Sequence, residues 1–161
     1  MASPALTSLL GTLAAQRVEL IVVGGLAAVA QGAPITTMDL DIVHRRTSDN
    51  LDRLMAVLES LDARYRRFDG QVLRPTKEIL AGAGHSLLTT KLGFLDVLGA
   101  IEGDRDYDIL LPRSIEIQID GHPVRVLGLD AIVEIKRLST RPKDHRMLPI
   151  LEATLRGREK P

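Results

Sequence analysis

Apolar positions recur along the chain with two different periods. Leu6, Leu9, Leu10 and Leu13 fall at helical spacing behind Ser3, a capping residue, and Pro4, which suits a first turn; a helix is predicted from Ser3 to Gln16. Glu19 to Val23 is a short β-branched run, predicted as a buried strand. Gly24-Gly25 turns the chain into a small-residue helix over Leu26 to Gln31, which Gly32 and Pro34 end. Met38 to Val43 alternates apolar and polar, the period of a second strand. Leu51, Leu54, Met55, Leu58 and Leu61 form the stripe of an amphipathic helix from Ser48, its expected cap, to Leu61. Between Tyr65 and Gly84 the breakers Gly70, Pro75, Gly82 and Gly84 leave no period, apart from a short helix near Thr76 to Leu80. Ser86 to Thr90 and Phe94 to Leu98 read as strands joined by "KLG", and Ile115 to Ile119 with Val124 to Leu127 as a hairpin around "DGHP". Two helices close the chain, Asp130 to Leu138 and Pro142 or Lys143 to Leu155, with a break between them.

That order predicts an α/β (α+β) fold in one domain over residues 1–161, with a mixed sheet flanked by helices and a helical C-terminal segment from residue 128. The sheet is mixed because hairpins force antiparallel pairing. At 161 residues the chain is long enough to bury a real core. Tyr65, Phe68, Phe94 and Tyr107 are its only Phe or Tyr residues and there is no Trp, so that core is aliphatic, and a stacking platform for single-stranded nucleic acid is not expected.

No cysteine is present, which removes disulfides, thiolate metal sites and cysteine nucleophiles. The longest apolar stretch, Leu20 to Ala30, is too short to span a membrane, and the N-terminus lacks the form of a signal peptide; a cytoplasmic protein without a membrane partner is expected. Net charge is zero. The charges are unevenly placed: residues 133–161 hold eight Lys/Arg against four Asp/Glu, leaving 13 against 17 in the remainder. A basic tail beside an acidic body suits either a metal site facing an anion or a solvated helix face.

Candidate chemistry sits in the second strand. Asp39 and Asp41 alternate with Leu40 and Ile42, so both carboxylates face one way, roughly 7 Å apart along the strand. Two carboxylates so close and partly buried repel each other unless one is protonated or a cation lies between them. Oxygen donors without nearby His or Cys favour Mg²⁺ or Mn²⁺. Asp96 stands in the middle of the apolar run "FLDVL", where an acid is costly unless it is paired or metal-bound. If this strand lies beside that of Asp39 and Asp41, three carboxylates converge, as a two-metal phosphoryl-transfer site requires. Gly24 and Gly25, lacking Cβ atoms, allow a phosphate to approach the backbone. His44, His85, His122 and His145 show no metal-ligand spacing and read as structural or surface groups.

An apolar strand, Gly24-Gly25, a helix, Asp39-Leu40-Asp41 and a third acid at Asp96 together resemble the nucleotidyltransferase superfamily, whose fold is that of the DNA polymerase beta catalytic core. "TTKLGFLDVL", "VRVLGLDAIVEIKR" and "RPKD" are similar to the small bacterial branch with the abortive-infection type enzymes, over about Glu19 to Leu155. The resemblance implies transfer of NMP from an NTP to an acceptor hydroxyl, with loss of pyrophosphate. Asp39 and Asp41 would hold Mg²⁺ or Mn²⁺, and Asp96 would bind the catalytic metal and help deprotonate the acceptor. Gly24 and Gly25 would cradle the triphosphate. Lys136 and Lys143 would neutralise it, with Asp144 orienting one of them. The acceptor would be RNA such as tRNA, a protein or a small molecule, and a homodimer or an antitoxin-like partner fits the same branch. Two positions depart from the pattern: Ile35 stands where many relatives have Arg, and Gly25 where some have Ser. A catalytically inactive nucleotide-binding module of the same fold is the alternative expectation.

Overall fold

A computed structural model describes residues 3–159. Seven strands form one sheet in the order β3-β4-β5-β2-β1-β7-β6. At its centre β1 (Leu20–Val23) runs antiparallel to β2 (Asp39–His44) and parallel to β7 (His122–Leu127), while β2 runs parallel to β5 (Gly93–Leu98). The hairpin pairings are β4 (His85–Thr90) with β5 and β6 (Ser114–Ile119) with β7. The sheet is therefore mixed, as the two hairpins dictate.

Helix α1 (Pro4–Ala15) is capped by the Ser3 hydroxyl, which accepts from the Leu6 N–H at 3.2 Å, and it buries all four leucines of its stripe. It lies on the face of Leu40, Ile42, Leu95 and Val97. A Cβ built on Gly93, which shares that face of β5 with Leu95 and Val97, would meet the Leu6 side chain at 3.7 Å. The opposite face carries Asp39, Asp41 and Asp96, and helix α2 (Gly24–Ala30) starts on that side, because a Cβ at Gly24 would run into Asp41. Helices α6 (Leu129–Leu138) and α7 (Pro142–Glu159) pack on each other, and α6 touches α2. Gln31, just past α2, donates to the Leu127 carbonyl at 2.7 Å and accepts from the Leu129 N–H at 2.8 Å, which fixes α2 to the start of α6.

Several local expectations change. The cap of α3 (Ser48–Ser60) is Thr47, and the Ser48 hydroxyl instead accepts from the Lys77 ammonium at 2.9 Å. The loop around "DGHP" contracts to Asp120-Gly121, both at positive φ (49° and 78°), so His122 and Pro123 already belong to β7. Two elements fall where no period is visible: β3 (Arg64–Tyr65) and α5 (Tyr107–Leu110). Strand β3 exists because Arg64 and Tyr65 pair with Thr89 and Leu88 across the sheet edge, a contact that two residues cannot announce locally. The short helix α4 (Lys77–Leu80) forms as expected, with Thr76 as its cap.

Candidate active site

β2 and β5 bring the acids together. Their parallel register sets Asp41 beside Asp96 and Asp39 beside Phe94, and equal register means a common face. Asp39, Asp41 and Asp96 each offer a carboxylate oxygen, and these atoms all lie within 4.8 Å of one another. The alternating residues Leu40, Ile42, Leu95 and Val97 are fully buried on the other face, so core packing itself orients the acids.

Gly24 and Gly25 stand against this cluster. Gly24 has φ +68°, and a Cβ there would lie 2.3 Å from Asp41 Oδ2. At Gly25 a Cβ would lie 3.0 Å from Thr37 Oγ1, and that hydroxyl donates to the Asp39 carbonyl at 3.0 Å. The two glycines thus make room for the Asp41 carboxylate and for the chain entering β2.

Asp41 is the electrostatically strained member. Burial, then the Asp96 and Asp39 carboxylates, push its pKa up from 3.8 to about 7, with Arg66 opposing. Its Oδ1 is buried with no hydrogen-bond partner. A group whose folded value lies above its unfolded value weakens the fold as pH rises between the two: the penalty is absent below about 4 and complete above about 7. His44 acts in the other direction. It is buried, its Nε2 donates to the Leu80 carbonyl at 2.7 Å, and burial lowers its pKa, so stability is lost as pH falls below its ordinary range. The Asp41 contribution is therefore read as a difference. Metal-free wild type should lose stability relative to Asp41→Asn between pH 5 and 8 in thermal melts, and Mg²⁺ should remove that difference; parallel melting curves would contradict it.

One residue at the cluster escaped the sequence reading. Arg66, immediately after β3, places Nη2 2.5 Å from Asp96 Oδ1 and donates from Nε to the Leu88 carbonyl at 3.2 Å. Its guanidinium lies 4.5 Å from the Phe94 ring centroid. The only local hint is its place in the aromatic-flanked run "YRRF".

The C-terminal residues assemble separately. Asp144 is buried and accepts from Ser139 Oγ at 2.6 Å and Lys136 Nζ at 3.0 Å, with Arg141 Nε at 3.2 Å. Arg141 also reaches Glu102 at 3.6 Å, tying the α6–α7 junction to the segment after β5. Lys136 is thus committed to Asp144, and Lys143 is exposed. Among the described residues no hydrogen bond or ion pair joins this group to the three aspartates. Of the remaining histidines, His85 bonds the Ala100 carbonyl at 2.8 Å and His145 the Ser139 carbonyl.

The acids face an open stretch of sheet. Leu87 and Phe94, which pair with Asp96 and Asp39 on that face, are 44% and 41% exposed. A hollow of about 130 Å³ between α1 and the start of β1, and one of about 420 Å³ beside α3, lie elsewhere and touch none of the three.

No protein-family model and no curated protein sequence matches the chain. Solved structures do. LnuA, a lincosamide antibiotic adenylyltransferase bound to lincomycin, superposes with a TM-score of 0.61 at 12% identity, over 96% of this chain and 98% of that one. ANT(2")-Ia in complex with adenylyl-2"-tobramycin gives 0.57 at 19% identity, over 93% and 89%. TM1012 of Thermotoga maritima, classed as a nucleotidyltransferase, gives 0.57 at 17% identity, over 86% and 89%. Matches that span nearly the whole of both chains show that this protein has the nucleotidyltransferase fold.

Proposed function

We propose that the protein is a metal-dependent nucleotidyltransferase that moves NMP from an NTP to a hydroxyl of a small-molecule acceptor. The observation that carries this reading is the three-carboxylate cluster with the orphaned Asp41 oxygen, standing on this fold. Three converging hard oxygen donors, one of them raised in pKa by burial and by its neighbours, fit Mg²⁺ or Mn²⁺. When bound, such ions would neutralise the triphosphate and acidify the acceptor hydroxyl. Asp39 and Asp41 would hold them. Asp96 would complete the ligand set and take the acceptor proton on a carboxylate oxygen as the acceptor oxygen attacks the α-phosphorus and pyrophosphate departs. The backbone at Gly24 and Gly25 would lie against the β- and γ-phosphates. Exposed Lys143 would neutralise the triphosphate, whereas Lys136 would serve by holding Asp144. A small-molecule acceptor is favoured by LnuA and ANT(2")-Ia, antibiotic enzymes of nearly the same extent. The exposed apolar surface of Leu87 and Phe94 beside the acids would give an organic acceptor a place to lie.

The test is incubation with each α-³²P-labelled NTP and Mg²⁺ or Mn²⁺ against three acceptor pools: small-molecule extract with aminoglycosides and lincosamides, total RNA, and lysate protein. Label should pass to a small molecule and vanish in Asp39→Ala/Asp41→Ala. Label on RNA or protein would move the acceptor to the macromolecular class. Absence of label together with absence of metal-dependent NTP binding would leave a non-catalytic module.

A further inference from the structure

Arg66 pairs with the carboxylate cluster through Asp96. It is held by four contacts that differ in character. The backbone N–H of Arg66 donates to the Leu87 carbonyl at 3.1 Å, which extends the β3–β4 pairing by one residue. The side-chain Nε is fixed by the Leu88 carbonyl, and the guanidinium plane lies over Phe94. Nη2 alone reaches into the cluster, to Asp96. Both partners are largely shielded, with side-chain exposures of 26% and 15%, so removing either from the pair leaves a costly charge. No other Lys or Arg among the described residues pairs with Asp39, Asp41 or Asp96.

We propose that Arg66 is a positioning residue that holds Asp96 while the site is empty of metal, and that it couples metal occupancy of Asp96 to nucleotide binding. The inference rests on the metal-dependent reading above. A divalent ion on Asp96 would draw negative charge away from Oδ1 and set a second positive charge against the guanidinium, so metal binding weakens the Nη2 contact. The remaining anchors at Leu88 and Phe94 keep the loosened guanidinium beside the cluster. There it needs a new anionic partner, and a triphosphate supplies one in charge-assisted hydrogen bonds. Metal and nucleotide therefore each make the other's binding easier, by a reciprocal coupling.

The experiment titrates Mn²⁺ by the loss of its free electron-spin-resonance signal, with and without the four non-transferable α,β-methylene NTP analogues. Wild type, Arg66→Gln, Arg66→Lys, Asp96→Asn and the Asp96→Asn/Arg66→Gln double variant are compared, each checked by circular dichroism and melting temperature. Without nucleotide, Arg66→Gln should bind Mn²⁺ roughly tenfold tighter than wild type, a typical coupling size. Analogue should tighten Mn²⁺ binding in wild type and much less in Arg66→Gln. Arg66→Lys, which keeps the charge but loses the planar fork, should fall between. In the Asp96→Asn background the Gln substitution should give no gain, which separates release of Asp96 from general relief of positive charge. A folded Arg66→Gln that binds Mn²⁺ no better than wild type overturns the proposal and leaves the proposed function standing. The same holds for an equal gain in the Asp96→Asn background. If neither wild type nor variant binds Mn²⁺, the proposed function falls and this inference with it. Should Arg66→Gln fail to fold, an Mn²⁺ affinity of Arg66→Lys equal to that of wild type is the overturning result.

Discussion

Asp41→Asn should abolish nucleotidyl transfer while making the metal-free protein more stable. The two effects have one cause. Asp41 is pushed up to about 7 by burial and by two neighbouring carboxylates, and keeps one buried oxygen without a partner. That arrangement costs the unliganded fold free energy above neutral pH, and a bound cation would recover it. An amide of the same shape removes the repulsion and also the negative charge that the cation needs. Transfer should fall on the order of 10³-fold, the scale of several kcal/mol of lost charge stabilisation. At pH 8 without metal, relief of the three-carboxylate repulsion should raise stability by about 2 kcal/mol, or roughly 4–8 °C in melting temperature for a chain of this size. Mg²⁺ should then stabilise wild type and leave the variant unchanged. Paired melting curves and single-turnover label transfer measure both halves. A variant that loses activity with an unchanged or lower metal-free melting temperature would mean that Asp41 is not under the strain described here.

Gly24→Ala should be the most damaging single-methyl change at the site. The backbone there is left-handed, at φ +68°, which costs an L-residue roughly 1–2 kcal/mol. The added carbon would also fall 2.3 Å from Asp41 Oδ2, inside any tolerated contact, so either the carboxylate or the start of α2 must move. A total loss of about 3 kcal/mol is expected, with melting lowered by roughly 6–12 °C. Mn²⁺ binding should weaken, because the displaced acid no longer meets Asp39 and Asp96. Gly157→Ala is the matched control: it lies late in α7 with nothing near its Cβ, and the same methyl there should be neutral or slightly stabilising. If Gly24→Ala melts with wild type, the close packing of Asp41 on the turn is not a constraint in solution.

The sequence carried the elements and the pairing of acids within a strand, because both follow from local periods. Leu40 and Ile42 on one face of β2 oblige Asp39 and Asp41 to the other, whatever the strand's neighbours. The leucine stripe and the Ser3 cap likewise define α1 without reference to the rest of the chain. Tertiary structure decided what no local period encodes. Only the sheet order sets β5 beside β2, and only their register sets Asp96 level with Asp41 rather than one residue away, on the other face. Arg66 enters through β3, a two-residue strand whose existence depends on β4 and whose composition carries no alternation to detect. At the other end of the chain, the late lysine and aspartate motif is legible as letters. Its wiring is not: Lys136 and Ser139 both turn to Asp144 because the α6–α7 junction folds back on itself, and that closure is a property of two packed helices rather than of the residues between them.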